Sequence, residues 1–395
     1  MISLPTNRDE NWRYANLRPL AKAKIDAATA VAAPPLELPP SLPGFERWVF
    51  VDGHLASNPP ADSAARLLDA RAAGDAFAAQ LDDSIAAAGV DFALARLNAA
   101  RGDAVLHVAL PDGAAAQIEV VFLATVSGAQ GTSYPRLQIY AGRDSRLQLV
   151  ERHIGAGAAD AAVNAAVDIA IAPDASVDHS RVQRAADQAS CFDTLVVNVG
   201  ERATYALRTV TLGGLTSRST LFIKLAGRAA RCELTAASVA NGIQTHDVFA
   251  EIEHAAPDTV TRELFRGIAT DRGKLAFNGK IIVRENAHES DSEQSLKSLL
   301  TGSGAEAAAR PQLEIYTDRV RAAHGATTGK LDDQMLFYLL SRGIERATAQ
   351  ALLQWAFIED AVSRVTPAAL REDTERAVLE QLNDVASLDG LLGMP

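Results

Sequence analysis

Thiols, a basic excess and long apolar runs are what this chain lacks. Two cysteines occur in 395 residues, Cys191 and Cys232, far apart and outside any Cys-x-x-Cys pair. That excludes a disulfide framework and any zinc or cluster motif made of local thiolates. Lysine and arginine number 38 against 49 aspartates and glutamates, a formal charge of −11. With no basic excess to displace counterions from phosphates, a nucleic-acid partner is not expected. No 18-residue apolar run is present, and the opening MISLPTNRDENWRYANLRPL lacks the apolar centre of a secretory signal. A membrane role is therefore not expected, and the cytoplasm is the expected compartment.

Hydrophobic residues make up 48% of the chain, enough for a substantial core and too many for wholesale disorder. The length suits two or three domains, or one large repetitive one. Residues 1–30 read as a short helical segment around Trp12, Tyr14, Leu17 and Leu20, broken at Pro19. AAPPLELPPSLPG (Ala32–Gly44), with its five prolines, reads as an extended connector. RWVFVDGHLAS reads as a hairpin turning at Asp52–Gly53. From Ala61 to about Arg101, Leu67, Leu68, Phe77, Leu81, Ile85, Phe92, Leu94 and Leu97 fall near helical spacing. Gly74 and Gly89 divide that stretch into two or three predicted helices.

After Gly102 the period changes to two. Ile118, Val120, Phe122, Ala124 and Val126 alternate strictly, as do Val163 to Ile171, Leu221 to Leu225 and Val248 to Ile252. No helix-length segment interrupts these runs before Arg284. Either a hairpin-built sandwich or barrel, or a β-solenoid of stacked parallel rungs, fits the pattern. Tight hairpin signals are scarce, and small residues stand at the corners (Gly155, Gly157, Gly200, Gly213, Gly214, Gly227, Gly242). Both points favour the solenoid, although no fixed repeat length is evident.

The last segment reads as helical. Asp332 and Asp333 suit a helix start, Met335, Leu336, Leu339 and Leu340 form one face, and Gly343 ends it. Ala349 to Val365 reads as a second helix with Leu352, Leu353, Phe357 and Val362. Thr366–Pro367 reads as N-cap and first residue of a third, ending near Leu388. Part of this apolar surface is expected to meet another protein.

No motif specifies catalysis. HGATTGKL (His324–Leu331) fails as a phosphate loop at both ends: His324 replaces the first glycine, and Leu331 replaces the serine or threonine. Nucleotide binding by this chain is therefore not expected. His246 and His254 share a strand parity but stand roughly 26 Å apart at about 3.3 Å per residue, too far for one metal. Both read as packed histidines, and both cysteines as structural. The carboxylates Glu251, Asp258, Glu263, Glu285, Glu289 and Asp291 form no acid–base spacing. His324, beside Gly325, Gly329 and Lys330 where the strands give way to helix, is either a turn residue or a ligand. One imidazole cannot hold a cluster, so a metal role needs donors from another chain.

Three runs carry a resemblance: THDVFAEIEHAAPDTVTRELFRGIA, LAFNGKIIVRENAHESDSEQSLKSLL, and RPQLEIYTDRVRAAHGATTGKLDDQMLFYLLSRGI. Together with NWRYANLRPL near the start, they resemble the SufB/SufD family of iron–sulfur cluster assembly proteins. The HGAT form, and SGAEAAARPQLEIY without a thiol, are similar to its SufD branch. The resemblance implies a mainly β fold: a right-handed parallel β-helix (103–328) flanked by N-terminal (1–102) and C-terminal (329–395) helical domains. It further implies a non-enzymatic scaffold in a SufB–SufC–SufD complex. SufB would be the partner in a heterodimer, with a homodimer open to the isolated chain. A transient iron–sulfur cluster or iron would form at the SufB interface, with His324 as a shared ligand. Many SufD-branch chains carry a cysteine two residues before that histidine, where this one has Ala322. For the ATPase SufC, the expected contacts are Met335, Leu336, Leu339, Leu340, Ile344, Leu352, Leu353 and Phe357. A purely structural partner that supplies no ligand is the alternative. A polysaccharide-active β-helix enzyme is disfavoured by the lack of a carboxylate cluster.

Overall fold

The computed structural model describes residues 3–29, 38–57, 63–69, 89–156 and 160–382. The expected positions Gly74, Phe77, Leu81, Ile85, Gly157 and Leu388, and the connector's start at Ala32–Pro35, lie outside these.

Parallel strands, mostly ten residues long, wind into a solenoid with two walls of ten strands each. Successive strands along the chain alternate between the walls, so each pairs with the strand one turn away. Inward side chains stack in register: Ile169, Val197, Ile223, Ile252, Ile281 and Leu313 form one such column. These columns merge into one interior cluster running from Trp48 to Leu296. Strict alternation is thus the signature of an interior filled from both walls.

One corner repeats with a specific geometry. Asp144, Asp174, Arg202, Ala229, Asp258 and Glu289 all have positive φ, between 54° and 63°. Each donates its N–H to the turn above, at 2.7–3.2 Å. Gly113 holds the same position one turn earlier, at φ +72° with its N–H on Arg143, and the expected corner glycines Gly200 and Gly227 stand two residues before Arg202 and Ala229; short polar side chains tolerate the positive φ, and the ladder holds the others. Gly213 is a different case: at φ +71°, a Cβ would lie 2.0 Å from the Ala185 carbonyl oxygen.

The two ends of the solenoid differ. At the N-terminal end both walls finish in short antiparallel strands, His54–Leu55 on one and Ala65–Asp69 on the other. The expected hairpin at Asp52–Gly53 is present, and its first strand, Glu46–Val51, runs parallel to Ala115–Ala124. Leu67 and Leu68, expected in a helix, instead lie on a strand paired with Leu106 and Val105. At the C-terminal end the walls stop at the parallel strands Glu306–Ile315 and Val320–Gly329, with no strand beyond either among the described residues.

Helices pack on the outer faces. The N-terminal part contributes α1 (Arg18–Lys22) and α2 (Ala93–Arg101). Pro19 stands in the first turn of α1 and starts that helix rather than breaking it. Trp12 is fully buried, its indole N–H donating to Asp91 at 2.7 Å and its ring lying 4.4 Å beneath the Arg218 guanidinium. On the opposite wall sit α3 (Asp333–Ser341), α4 (Arg346–Val362) and α5 (Ala368–Gln381). Ile358, Val362, Leu370 and Val378 pack on the outward residues Val182, Val210 and Val239. Ion pairs Arg266–Asp360 (2.7 Å) and Arg152–Asp373 (3.6 Å) fasten the same contact. Thr366 does not cap α5, whose N-cap is Pro367; its hydroxyl donates to Asp178 at 2.8 Å. Asp332 does cap α3, accepting from the N–H groups of Gln334 and Met335, and Gly343 follows the helix at φ +84°.

Candidate functional site

His324 lies within the last strand, not at a corner. Gly325 and Gly329 belong to the same strand, and a Cβ at either would meet nothing within 4 Å, so neither shapes a turn. Val320 packs against the interior cluster, and alternation places Ala322, His324 and Ala326 on that inward side. Across the mouth, Leu313 also packs inward, which puts Ala309, Pro311 and Ile315 on its side. Among these inward positions only His324 is ionisable. Its ring is exposed and has no hydrogen-bond partner among the described residues.

Directly beneath it in register is Gln294, and beneath that Glu263. Both are buried, at 2% and 3% exposure. Gln294 Nε2 donates to Glu263 Oε2 at 2.6 Å. Glu263 Oε1, Gln294 Oε1 and the Ser292 hydroxyl find no partner among the described residues. Burial pushes the Glu263 carboxyl up to about 8, opposed only by the Gln294 bond. Gly279 on the facing wall leaves room for the pair: a Cβ there would stand 2.9 Å from Gln294 Nε2. Sequence reasoning passed over Gln294 and dismissed Glu263 as one carboxylate among several. They are 31 residues apart, and only knowledge of the solenoid turn shows that they touch.

The other candidates lie elsewhere. Cys232 is buried, Cys191 half-buried; burial raises both thiols, Cys191 to about 12, so neither is a thiolate near neutrality. His246 is held by Ser238 and the Gly213 carbonyl, and His254 by Thr259 and Thr261. Burial lowers both imidazoles to about 4, leaving them neutral packing groups. Among the described residues no group of three histidine, cysteine or acidic side chains is placed to hold a metal, so a metal at His324 would need outside donors.

The expected contact surface on the C-terminal helices divides. Met335 is 57% exposed, but Leu336 is buried at 7% inside its own chain. Leu339, Leu340, Ile344 and Leu353 are half-buried. Leu352 packs on Ala351 and Leu379, and Phe357 on the cluster beneath α4. The outward apolar groups of α3 are Met335 with Phe337 and Tyr338, 71% and 56% exposed, which the helical stripe had missed. Among the described residues no helix is long and apolar enough to cross a membrane.

A profile of the family described as SUF system FeS cluster assembly, SufBD core domain, matches residues 123–357, more than half of the chain. The chain is similar to the iron–sulfur cluster assembly protein SufD of Escherichia coli, 26% identical across 96% of this chain and 88% of that one. An iron–sulfur cluster assembly SufBD family protein of Synechocystis is 27% identical over 64% of this chain and 58% of its own. The iron–sulfur cluster assembly protein SufD of Plasmodium falciparum is 26% identical over 62% of this chain, which spans only 17% of that protein. With a parallel solenoid carrying helices at both termini, and a match through its whole central part, the chain belongs to the SufB/SufD family of SUF-system iron–sulfur cluster assembly proteins, on the SufD side.

Proposed function

We propose that this chain is a scaffold, not a catalyst, that joins SufB at the open end of its solenoid and offers His324 to a nascent iron–sulfur cluster. The observation that carries this is the mouth itself. Two parallel edges with no further strand among the described residues finish together, and one of them carries the inward-side ionisable residue His324. Unpaired edges are templates for strand addition, and a lone neutral imidazole suits iron when a second chain supplies thiolate or carboxylate. The cluster is the cargo of this site. A cytoplasmic setting fits two free thiols, one buried and one half-buried. The same edges admit a second copy of the chain when SufB is absent.

His324→Ala is expected to leave the complex intact and to lower cluster yield at least about tenfold. Loss of a ligand should exceed the roughly 10–100-fold cost of losing a ligand's outer partner. Anaerobic iron and sulfide analysis of the purified complex checks this; normal yield from an intact mutant complex removes the assignment.

The exposed face of α3, where Met335, Phe337 and Tyr338 stand out from the surface, supports reading it as the surface that SufC would cover. Aromatic anchors of this kind dominate binding energy when they are covered. Phe337→Asp is expected to weaken SufC capture by about thirtyfold, equal to one hot-spot residue, and to leave the fold unchanged because the ring touches water. Capture at wild-type affinity would move the SufC surface elsewhere.

A further inference from the structure

Glu263 and Gln294 are costly where they are. Leu234 lies below Glu263 in register, Phe265 and Leu296 stand on one side of the pair and Phe277 across the interior, while Thr261 and Ser292, on the other side, are polar. Orphaned acceptors in such surroundings are destabilising, and a native fold keeps them for a reason. The bond from Gln294 Nε2 to Glu263 Oε2 fixes the amide, so its free Oε1 is turned away from Glu263. The next residue in register is His324.

We propose that Gln294 is a positioning residue for His324. Its Oε1 accepts the N–H of one imidazole nitrogen when the ring turns into the mouth, leaving the other nitrogen unprotonated and directed out of the open end. Glu263 holds the amide in the one orientation that allows this. A ligating histidine characteristically donates its second N–H to such an acceptor, which sets the tautomer and the ring angle. A neutral amide does this without drawing a proton onto the ring, as a carboxylate at the same position would. Gly279 completes the arrangement, since a side chain there would displace the Gln294 amide. The inference rests on reading His324 as a ligand.

Nitrogen-15 NMR of the full-length, histidine-labelled chain reads which ring nitrogen carries the proton, the His324 signals being those lost in His324→Ala. The expected result is a tautomer ratio shifted about fivefold from that of free imidazole, the bias a single net hydrogen bond supplies. Gln294→Leu should abolish the shift. Glu263→Gln, nearly isosteric, frees the amide to turn over and should reduce the shift partway; it serves as the test if Gln294→Leu does not fold. An unchanged ratio in folded variants overturns the proposal. The measurement needs neither partner nor cluster. Normal cluster yield from His324→Ala would therefore defeat the functional reading without touching the tautomer result.

Discussion

Glu151→Ala is expected to cost about 3 kcal/mol, the low end of the penalty for breaking a buried ion pair, because Asp193 still pairs with Arg181. Glu151 is completely buried inside the solenoid. It accepts from His153 at 2.9 Å and from His179 at 2.7 Å, with the Arg181 guanidinium at 3.4 Å. Arg181 also pairs with Asp193 at 2.8 Å, and Asp193 accepts from Ser219 at 2.7 Å. Burial alone would push the Glu151 carboxyl up, yet Arg181 and the two histidine bonds hold it well below its ordinary value. Its folded value is depressed, so its contribution is present above the unfolded value of about 4.5 and fades as pH falls through the folded one. Urea unfolding near neutral pH checks the magnitude. A midpoint shift worth less than about 1 kcal/mol, within ordinary surface-substitution scatter, would show that the network contributes little.

The opposite sign is expected one region further along. Glu263 faces Leu234, Gln294, Gly279 and the Cys232 thiol, with no cation among the described residues to favour its ionised form. Its folded value is near 8 against an ordinary 4.5, so the native chain keeps a proton that the unfolded chain gives up. Stability through this group therefore falls as pH rises from about 4.5 to about 8 and then levels off. The loss is on the order of 3–5 kcal/mol, at about 1.4 kcal/mol per pH unit. Glu263→Gln should erase that slope and be the more stable protein at alkaline pH. Parallel stability curves for the two chains across that range would count against a protonated Glu263.

The walls were legible because every second residue of Val163–Ile171 or Leu221–Leu225 is apolar and faces one interior. The final helices were legible for a related reason: Asp332 and Gly343 mark one of them locally. Leu67 and Leu68 were not, because only pairing with Leu106 and Val105, nearly forty residues on, makes them a strand. Helical spacing found a stripe on α3 but could not say which side the rest of the molecule covers, so it chose buried Leu336 and omitted Phe337. His324 was singled out from its neighbours and given a role by resemblance; Glu263 was weighed only as one carboxylate among several, and Gln294 was not considered. Turn length varies along the solenoid, as partners such as Arg181–Thr209 and Glu263–Gln294 show, so no fixed offset in the sequence brings them together.

The unlike ends of the solenoid limit how such molecules can be joined. A rod whose two tips were both bare could be added to indefinitely, head to tail, and would grow into fibres. Here brief antiparallel strands blunt one tip, leaving a poor template for further pairing. A union at the bare tip would thus stop at a pair, with its junction buried at the middle.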